Sequence, residues 1–244
     1  SKVLTSKRMK PAILIHGPTA SGKTALSIAV ARKFDGEIVN ADSMQVYDRL
    51  NVISARPSEE EMDGIPHHLF GHVPVATRFS TGEWLEQART IIEDIQKREK
   101  TAVVVGGTGL YLMSLIEGLS DIPPVPEDVR HEVLEIAKVD GLRGLKIRLQ
   151  VVDPDAAARI DDNDRQRLTR AYEVWLATGR SLTSFQNNKT NAVLNPDEWL
   201  GVALTPPRSK LYARIDRRFE GMLMEGAMEE ARELDRLGLD PALP

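Results

Sequence analysis

Residues 17–24 form a complete phosphate-binding loop with the sequence Gly-Pro-Thr-Ala-Ser-Gly-Lys-Thr. An apolar run at 12–15 precedes this loop, and a helical pattern follows it. Such a loop joins a strand to a helix, so it constrains the fold to a sheet whose strands alternate with helices. Its amides would surround a phosphate, its lysine would reach the outer oxygens, and its last hydroxyl would bind Mg2+. The predicted ligands of a diphosphate or nucleotide are Gly17, Pro18, Thr19, Ala20, Ser21, Gly22, Lys23 and Thr24.

The first third of the chain continues this alternation. We predict strands at 13–16, 37–41 and 101–105 and helices at 23–34 and 81–98. The third strand is apolar and β-branched, which is typical of a parallel strand buried on both faces. Ligands collect at the carboxyl ends of such strands. We therefore expect the loop, Asp42 and the turn at 106–108 to border one crevice.

A proline-rich break at 123–126 separates this pattern from a helical region. Helices are predicted at 127–139, 141–150, 155–160 and 164–178, and Gly179 stands where a left-handed helix cap belongs. A strand at 199–204 and one long helix at 208–237 follow. The predicted fold class is α/β, with a P-loop-type parallel sheet flanked by helices (residues 1–119 and 197–244) and an all-helical insertion domain (residues 120–196).

Composition excludes several classes of function. The chain has no cysteine, so it has no disulfide, thiolate metal site or cysteine nucleophile. No apolar run is long enough to span a membrane and no signal-peptide pattern is present, so we expect a cytoplasmic protein without a membrane partner. The net charge is −4, so any nucleic acid must bind through a local basic patch.

The acidic residue of the predicted crevice is unusual in its position. NTPases with this loop carry an acid after a second apolar strand, where it holds Mg2+ and orients water. Here that strand ends in Gly106, Gly107 and Thr108. Thr108 can donate its hydroxyl to a phosphate or cap a helix. Asp42 can bind Mg2+, cap a turn or act as a general base, and Gln45 offers the paired donor and acceptor that suit a base edge.

Two further groups of polar residues lie on predicted helices. Arg214 and Arg218 fall within the apolar arc of the last helix, so we expect them on its buried side, where they need a carboxylate or a diphosphate as partner. Gln166 and Arg170 project from one face of the 164–178 helix. That face suits either plain solvent or an RNA loop.

The three histidines at 67, 68 and 72 raise the question of a metal site. No cysteine and no second cluster completes a ligand set. We therefore expect a packed, hydrogen-bonded loop at this position.

Six segments, in order along nearly the whole chain, resemble the tRNA dimethylallyltransferase (tRNA isopentenyltransferase) family. They are 17–24, 42–47, 66–69, 106–111, 159–167 and 214–219. The resemblance implies transfer of a dimethylallyl group from dimethylallyl diphosphate to the N6 amine of the adenosine 3′ of the anticodon in tRNA. It also implies Mg2+ as cofactor and the tRNA anticodon stem-loop as partner. Diphosphate is then a leaving group, which accounts for the missing acid because no water needs orienting.

The resemblance also assigns roles to individual residues. Asp42 matches the general base, and Thr108, Arg214 and Arg218 match groups that stabilise the diphosphate. The positions that match tRNA-contacting segments are Asp42, Ser43, Met44, Gln45, Thr108, Arg130, Gln166, Arg167, Leu168, Thr169 and Arg170.

Two other functions stay open as alternatives, and the chain departs from the family pattern in one respect. The alternatives are a prenyltransferase for free adenine nucleotides and a small-molecule kinase with an ATP-binding loop. Family members usually continue for several helices beyond the position of Pro244, which affects tRNA affinity more than diphosphate binding. We expect a monomer.

Overall fold

The computed structural model describes residues 9–240 and 243, and this part of the chain contains a parallel sheet. Its strands are β1 Ala12–His16, β2 Gly36–Asn40, β3 His67–His68, β4 Thr101–Gly106 and β5 Trp199–Ala203. They lie in the order β3-β2-β4-β1-β5, and every neighbouring pair is parallel. The predicted α/β fold with a parallel sheet is thus confirmed.

The helices of the described residues, in chain order, are α1 Lys23–Lys33, α2 Glu59–Met62, α3 Thr81–Lys97, α4 Gly109–Glu117, α5 Glu127–Val139, α6 Gly141–Val152, α7 Pro154–Arg159, α8 Arg165–Thr178, α9 Leu182–Asn187, α10 Arg208–Met224 and α11 Ala227–Arg236. They belong to two compact units. One unit contains the described residues up to Ile116 and from Ala192 onward, and the other is Glu117–Asn191. That the second unit contacts tRNA stays a prediction.

The core of the first unit fixes the end of β2. Every residue of β2 and β4 is buried. The indole of Trp84, on α3, is fully buried, donates a hydrogen bond to the Asn40 carbonyl at 2.8 Å and stacks on Tyr111 with 4.4 Å between ring centroids. A capping box between Ser80 and Glu83 starts α3. The residues that follow Asn40 therefore leave a rigid point of the sheet.

The second unit has its own apolar core. Its helices enclose a cluster of buried side chains, which includes Val133, Leu145, Leu149, Leu168 and Ala171. Gly179 adopts φ 70° directly after α8, so the predicted left-handed cap is confirmed. An independent core of this kind lets the helical unit hold its shape without strands.

The prediction of one long helix at 208–237 is wrong. The structure has two helices, α10 and α11, because Gly226 takes a left-handed conformation with φ 99° and interrupts the helix. The short elements β3, α2 and α9 were also not predicted, since two to six residues carry too little periodicity to detect. Among the described helices, none combines the length and the apolar character that a membrane crossing requires.

Candidate active site

The phosphate-binding loop lies where the sequence predicts, between β1 and α1. Ala20 and Gly22 both adopt left-handed backbone conformations, with φ 60° and 91°. A Cβ atom on Gly17 would lie 2.6 Å from the Ser21 hydroxyl, so a larger residue at this position would disturb the loop. Within the described residues, the buried Ser21 Oγ has no hydrogen-bond partner. These features give the tightly curled backbone that cradles a phosphate.

Lys23 is the first residue of α1, and its charge is coupled to two other side chains. Its ammonium donates a hydrogen bond to the Pro18 carbonyl at 3.1 Å, across the loop. Burial lowers the pKa of Lys23, the Asp42 carboxylate raises it, and the Arg218 guanidinium lowers it further. Lys23, Asp42 and Arg218 therefore lie within electrostatic reach of one another.

These side chains border a cleft of about 460 Å³ in the first unit. Its wall is formed by the phosphate-binding loop, the start of α1, the turn after β2 and one side chain of α10. The lining residues with polar side chains are Thr19, Ser21, Lys23, Thr24, Arg32, Asp42, Gln45, Ser54, Glu61 and Arg218. The phosphate-binding loop and Asp42 therefore border one cleft, as expected, whereas the turn at 106–108, expected at the same crevice, is absent from its lining.

Asp42 uses its two carboxylate oxygens differently. Oδ1 accepts hydrogen bonds from the amides of Met44 at 2.9 Å and Gln45 at 3.3 Å, so it caps the turn after β2. A Cβ atom on Gly107 would lie 3.7 Å from Oδ2 and 3.4 Å from the Gly17 carbonyl oxygen. Oδ2 therefore lies near the point where the phosphate-binding loop and the end of β4 meet. Capping and a role in the cleft are compatible, because each uses a different oxygen.

The buried side chain of Asn40 holds the Asp42 backbone. Its carboxamide accepts from the Asp42 amide at 3.0 Å and donates to the carbonyls of Asp42 at 3.1 Å and Leu69 at 3.0 Å. An amide with its polar atoms paired inside the protein fixes the backbone that it contacts. The turn that carries the predicted base is thus rigidly attached to β2.

Thr108 connects the turn after β2 to the end of β4. Its hydroxyl oxygen accepts from the Ser43 amide at 2.9 Å and lies 3.3 Å from the Ser43 hydroxyl. Direct contact of Thr108 with a diphosphate stays a prediction. In the structure this hydroxyl joins the loop after β4 to the turn that carries Asp42.

Gln45 and Arg218 meet at a backbone carbonyl that the sequence did not single out. The Gln45 amide nitrogen donates to the carbonyls of Ser54 at 2.9 Å and Ala55 at 3.1 Å. Arg218 Nη2 donates to the same Ala55 oxygen at 3.3 Å. Both donors of the Gln45 amide are engaged, so only its oxygen is available to a base edge. A backbone carbonyl leaves no signal in the sequence, so pattern reasoning could not find Ala55.

The expectation that Arg214 and Arg218 lie on a buried face is wrong. Among the described residues of α10, none is buried, and the side chain of Ile215 in the apolar arc is 36% exposed. Arg214 is exposed, whereas Arg218 is half-buried and lines the cleft. Periodicity identifies an apolar stripe but does not show what covers it.

The three histidines have separate hydrogen-bond partners, as expected, but His67 and His68 form strand β3 and not the expected loop. His67 Nδ1 lies 2.7 Å from the Ile65 carbonyl oxygen, His68 Nε2 lies 2.8 Å from Glu37, and His72 Nε2 lies 2.7 Å from Gln87. Over residues 9–240 and 243, no group of three or more His, Cys, Asp or Glu side chains is arranged to hold a metal ion.

The predicted tRNA-contacting residues of the second unit differ in exposure. Gln166 and Arg167 are exposed and Arg170 is half-buried, so their side chains are accessible. The side chain of Leu168 is fully buried in the core. Thr169 is 7% exposed, and its hydroxyl donates to backbone carbonyls of the preceding turn. The side chains of Leu168 and Thr169 are therefore turned away from solvent, and contact of this segment with tRNA stays a prediction.

Arg130, on α5, is the last predicted tRNA contact. It is half-buried, and its guanidinium lies 3.7 Å from Glu127, one turn earlier. Such an exposed ion pair is weak and leaves the guanidinium free to exchange partners.

Comparison with known proteins agrees with this geometry. A model of the IPP transferase family matches residues 45–243. The tRNA dimethylallyltransferase of Hyphomonas neptunium is 64% identical over 236 residues, which cover 97% of this chain and 75% of the relative. The chain belongs to the tRNA dimethylallyltransferase (IPP transferase) family. It is therefore a transferase, and the predicted family resemblance is confirmed.

Other members and solved structures extend the match. The tRNA dimethylallyltransferase of Caulobacter sp. strain K31 is 49% identical over 95% of this chain and 75% of the relative. A tRNA isopentenylpyrophosphate transferase structure from Staphylococcus epidermidis is 37% identical, with a TM-score of 0.61 and coverage of 95% of this chain and 76% of that one. The structure of a eukaryotic dimethylallyltransferase acting on tRNA has a TM-score of 0.76 and 31% identity, with coverage of 96% and 58%.

Proposed function

We propose that this member of the family transfers a dimethylallyl group from dimethylallyl diphosphate to the N6 amine of the adenosine 3′ of the anticodon in tRNA. The bond between the allylic carbon and the diphosphate oxygen breaks, and a bond between that carbon and N6 forms. One N6 proton leaves, and diphosphate is the second product. The observation that carries the proposal is the cleft in which the phosphate-binding loop faces Asp42 and Arg218.

The charges around the cleft suit a diphosphate leaving group. An adenine amine is a poor nucleophile because its lone pair is delocalised into the ring, so the reaction depends on departure of the diphosphate. The loop amides, the Lys23 ammonium and the Arg218 guanidinium stabilise the negative charge that develops on it. Burial of Lys23 lowers its pKa and partly desolvates the cation, and desolvated charges act more strongly on a bound anion.

Asp42 is the proposed proton acceptor. Because Oδ1 is occupied by two backbone amides, Oδ2 is the atom that takes the N6 proton. The carboxylate is needed only after the N6–carbon bond begins to form, when the amine becomes acidic. Arg214 is exposed and does not line the cleft. We therefore assign stabilisation of the diphosphate to Arg218 and propose no direct contact between Arg214 and the diphosphate.

The cleft also suits Mg2+ held largely by the diphosphate. Mg2+ prefers oxygen ligands and is usually bound by one or two protein groups together with phosphate oxygens and water. The Thr24 hydroxyl is an oxygen ligand that lines this cleft, so it would hold the ion together with the diphosphate oxygens, and Asp42 Oδ2 would stay free to accept the proton. When bound, Mg2+ supplies further neutralisation of the departing diphosphate.

The tRNA reaches this chemistry through an unstacked base. An enzyme that modifies a base edge must take the base out of its stack, which an anticodon loop permits at low cost. We assign the exposed Gln166 and Arg167 and the half-buried Arg170 and Arg130 to contacts with the stem-loop. We also propose that the enzyme acts as a monomer in the cytoplasm. Because the net charge of the chain is slightly negative, the RNA must bind through a local basic patch of this kind.

The test is a transfer assay with radiolabelled dimethylallyl diphosphate, Mg2+ and either unmodified tRNA or AMP. We expect label in tRNA and none in AMP. Label in AMP alone would instead indicate a prenyltransferase for free nucleotides. Phosphate transfer from ATP without any prenyl transfer would indicate a kinase.

A further inference from the structure

Glu230 lies on α11, outside every predicted site segment, and its carboxylate binds three consecutive backbone amides. Oε2 accepts from Asn51 at 3.2 Å and Val52 at 3.0 Å, and Oε1 accepts from Ile53 at 3.1 Å. These bonds span about 180 residues of sequence. Charge-assisted hydrogen bonds to a carboxylate are stronger than neutral ones, and three of them fix both oxygens and the loop they hold.

The anchored loop is also a wall of the cleft. The Ala55 amide donates to the Val52 carbonyl at 2.9 Å, so residues 52–55 form one turn with the anchored amides. The Ala55 carbonyl, on the far side of this turn, accepts from Gln45 at 3.1 Å and Arg218 at 3.3 Å. The position of the 51–53 amides therefore sets the position of the carbonyl that holds Arg218.

Arg218 needs such support because its own helix provides little. Among the described residues of α10, none is buried, so packing alone does not fix this helix. The break at Gly226 separates α10 from α11, and each of the two helices contacts the same turn through one side chain. Arg218 contacts it from α10, and Glu230 contacts it from α11.

We propose that Glu230 is a positioning residue for the prenyl-transfer reaction. It does not touch the cleft, and it acts by holding the 51–55 turn so that the Ala55 carbonyl directs Arg218 toward the departing diphosphate. This inference rests on the function proposed above and adds a residue on which the cationic wall of the site depends.

The first experiment measures kcat and KM of Glu230→Ala and Glu230→Gln with tRNA and dimethylallyl diphosphate. In Glu230→Ala we expect Arg218 to be displaced by about an ångström. This displacement lowers kcat/KM for dimethylallyl diphosphate roughly tenfold to a hundredfold. Glu230→Gln keeps one acceptor oxygen and has an intermediate loss. The matched control is Glu229→Ala, since this exposed neighbour pairs only with Arg232 at 3.6 Å in the described part of the chain and should leave the kinetics unchanged.

The second experiment separates positioning from a general structural role. If Glu230 acts through Arg218, then Glu230→Ala added to Arg218→Gln lowers kcat/KM by less than about threefold, because coupled losses are not additive. Amide hydrogen exchange at residues 51–53 becomes faster in Glu230→Ala, and the thermal midpoint stays near that of Glu229→Ala. If Glu230→Ala does not fold, Glu230→Gln takes its place in both measurements.

Two results would overturn the inference. One is a Glu230→Ala enzyme as active as the Glu229→Ala control, and the other is full multiplication of the two losses in the double variant. Failure of the proposed function gives a different result, namely no prenyl transfer by the wild-type protein. In that case calorimetry with inorganic pyrophosphate tests the positioning role on its own, because an unchanged affinity for pyrophosphate in Glu230→Ala would refute that role.

Discussion

The hydroxyl of Thr108 accepts a hydrogen bond from the Ser43 backbone amide at 2.9 Å, and so joins the end of β4 to the turn that carries Asp42. We predict that Thr108→Val, which keeps the shape and removes this acceptor, lowers kcat about tenfold because the turn with the general base loosens. Affinity for inorganic pyrophosphate, measured by calorimetry, should change less than about threefold. The lost hydrogen bond corresponds to roughly 1 kcal/mol of stability.

Thr108→Ser is the matched control, since serine retains the hydroxyl and should keep most of the wild-type kcat. A large loss of pyrophosphate affinity in Thr108→Val, with kcat preserved, would contradict this account. It would instead favour direct donation of the Thr108 hydroxyl to the diphosphate.

Gly107 lies between Asp42 and the phosphate-binding loop, so a side chain there enters the space that the substrates need. A Cβ atom at Gly107 would be 3.4 Å from the Gly17 carbonyl and 3.7 Å from Asp42 Oδ2, which are ordinary contact distances. We therefore expect Gly107→Ala to fold normally and to lower kcat/KM for dimethylallyl diphosphate about tenfold or more. Steady-state kinetics test the loss of kcat/KM, and a thermal melt tests whether Gly107→Ala folds normally.

Gly109→Ala provides the control two residues away. A Cβ atom at Gly109 has no heavy atom within 4 Å other than its chain neighbours and its own helix backbone, so this variant should resemble the wild type. Equal kinetics for Gly107→Ala and Gly109→Ala would show that the gap beside Asp42 is not used by the substrates.

Asp42 combines a capping oxygen with the proposed base, and Asp42→Asn separates the two. Asparagine keeps an oxygen that can accept from the amides of Met44 and Gln45, but it cannot take a proton from the substrate. We predict a loss in kcat of about a hundredfold or more, because general-base catalysis typically contributes 10² to 10⁴. Pyrophosphate affinity should be retained.

Asp42→Ala removes the cap as well, so it should be less stable than Asp42→Asn by about 1 kcal/mol and equally inactive. Turnover by Asp42→Asn near the wild-type level would remove Asp42 from the role of base and leave only the cap.

The parts of the site that lie next to strand ends could be predicted from sequence. The phosphate-binding loop is a contiguous motif, and the rule for parallel strands places Asp42 beside it. The α/β class followed from the same alternation of strands and helices. These inferences need only local patterns and one topological rule.

The parts that depend on tertiary contacts could not be predicted. A glycine within a helical pattern does not reveal whether it breaks the helix, so the break at Gly226 was missed. Without that break, nothing in the sequence connects Glu230 with residues 51–53. The burial of Arg214 was predicted wrongly for the same reason, since periodicity does not specify the surface that faces a helix.

Acid stability depends on a buried carboxylate near the start of β2, an interior strand of the sheet. The side chain of Glu37 is 4% exposed and binds Arg98 and His68. Hydrogen bonding from Arg98, aided by His68, lowers the pKa of Glu37 to about 2, although burial opposes this change. A lowered folded-state pKa stabilises the protein above the unfolded value near 4.5, and this contribution is lost as the pH falls toward 2.

We predict that Glu37→Gln is less stable than the wild type at pH 7 by on the order of 3 kcal/mol, which is the free energy that corresponds to this lowering of the pKa. We also expect the free energy of unfolding of Glu37→Gln to change less than that of the wild type between pH 5 and pH 2. Urea unfolding at a series of pH values tests this. Asp94→Asn is the control, because Asp94 contacts the same arginine at 2.9 Å but is 64% exposed and should have little effect. Parallel curves for Glu37→Gln and wild type would refute the assignment.

Arg170 tests the proposed RNA contact in the helical unit. Its half-buried guanidinium follows the exposed Gln166 by one helical turn on α8. If it binds a phosphate, Arg170→Ala should weaken tRNA binding several-fold and reduce the slope of log affinity against log salt by about 0.7 to 0.9. The affinity for dimethylallyl diphosphate should not change. Arg143→Ala, an exposed arginine of α6 that was assigned no contact, is the matched control. Equal tRNA dissociation constants for the two variants across the salt series would return this face of α8 to plain solvent.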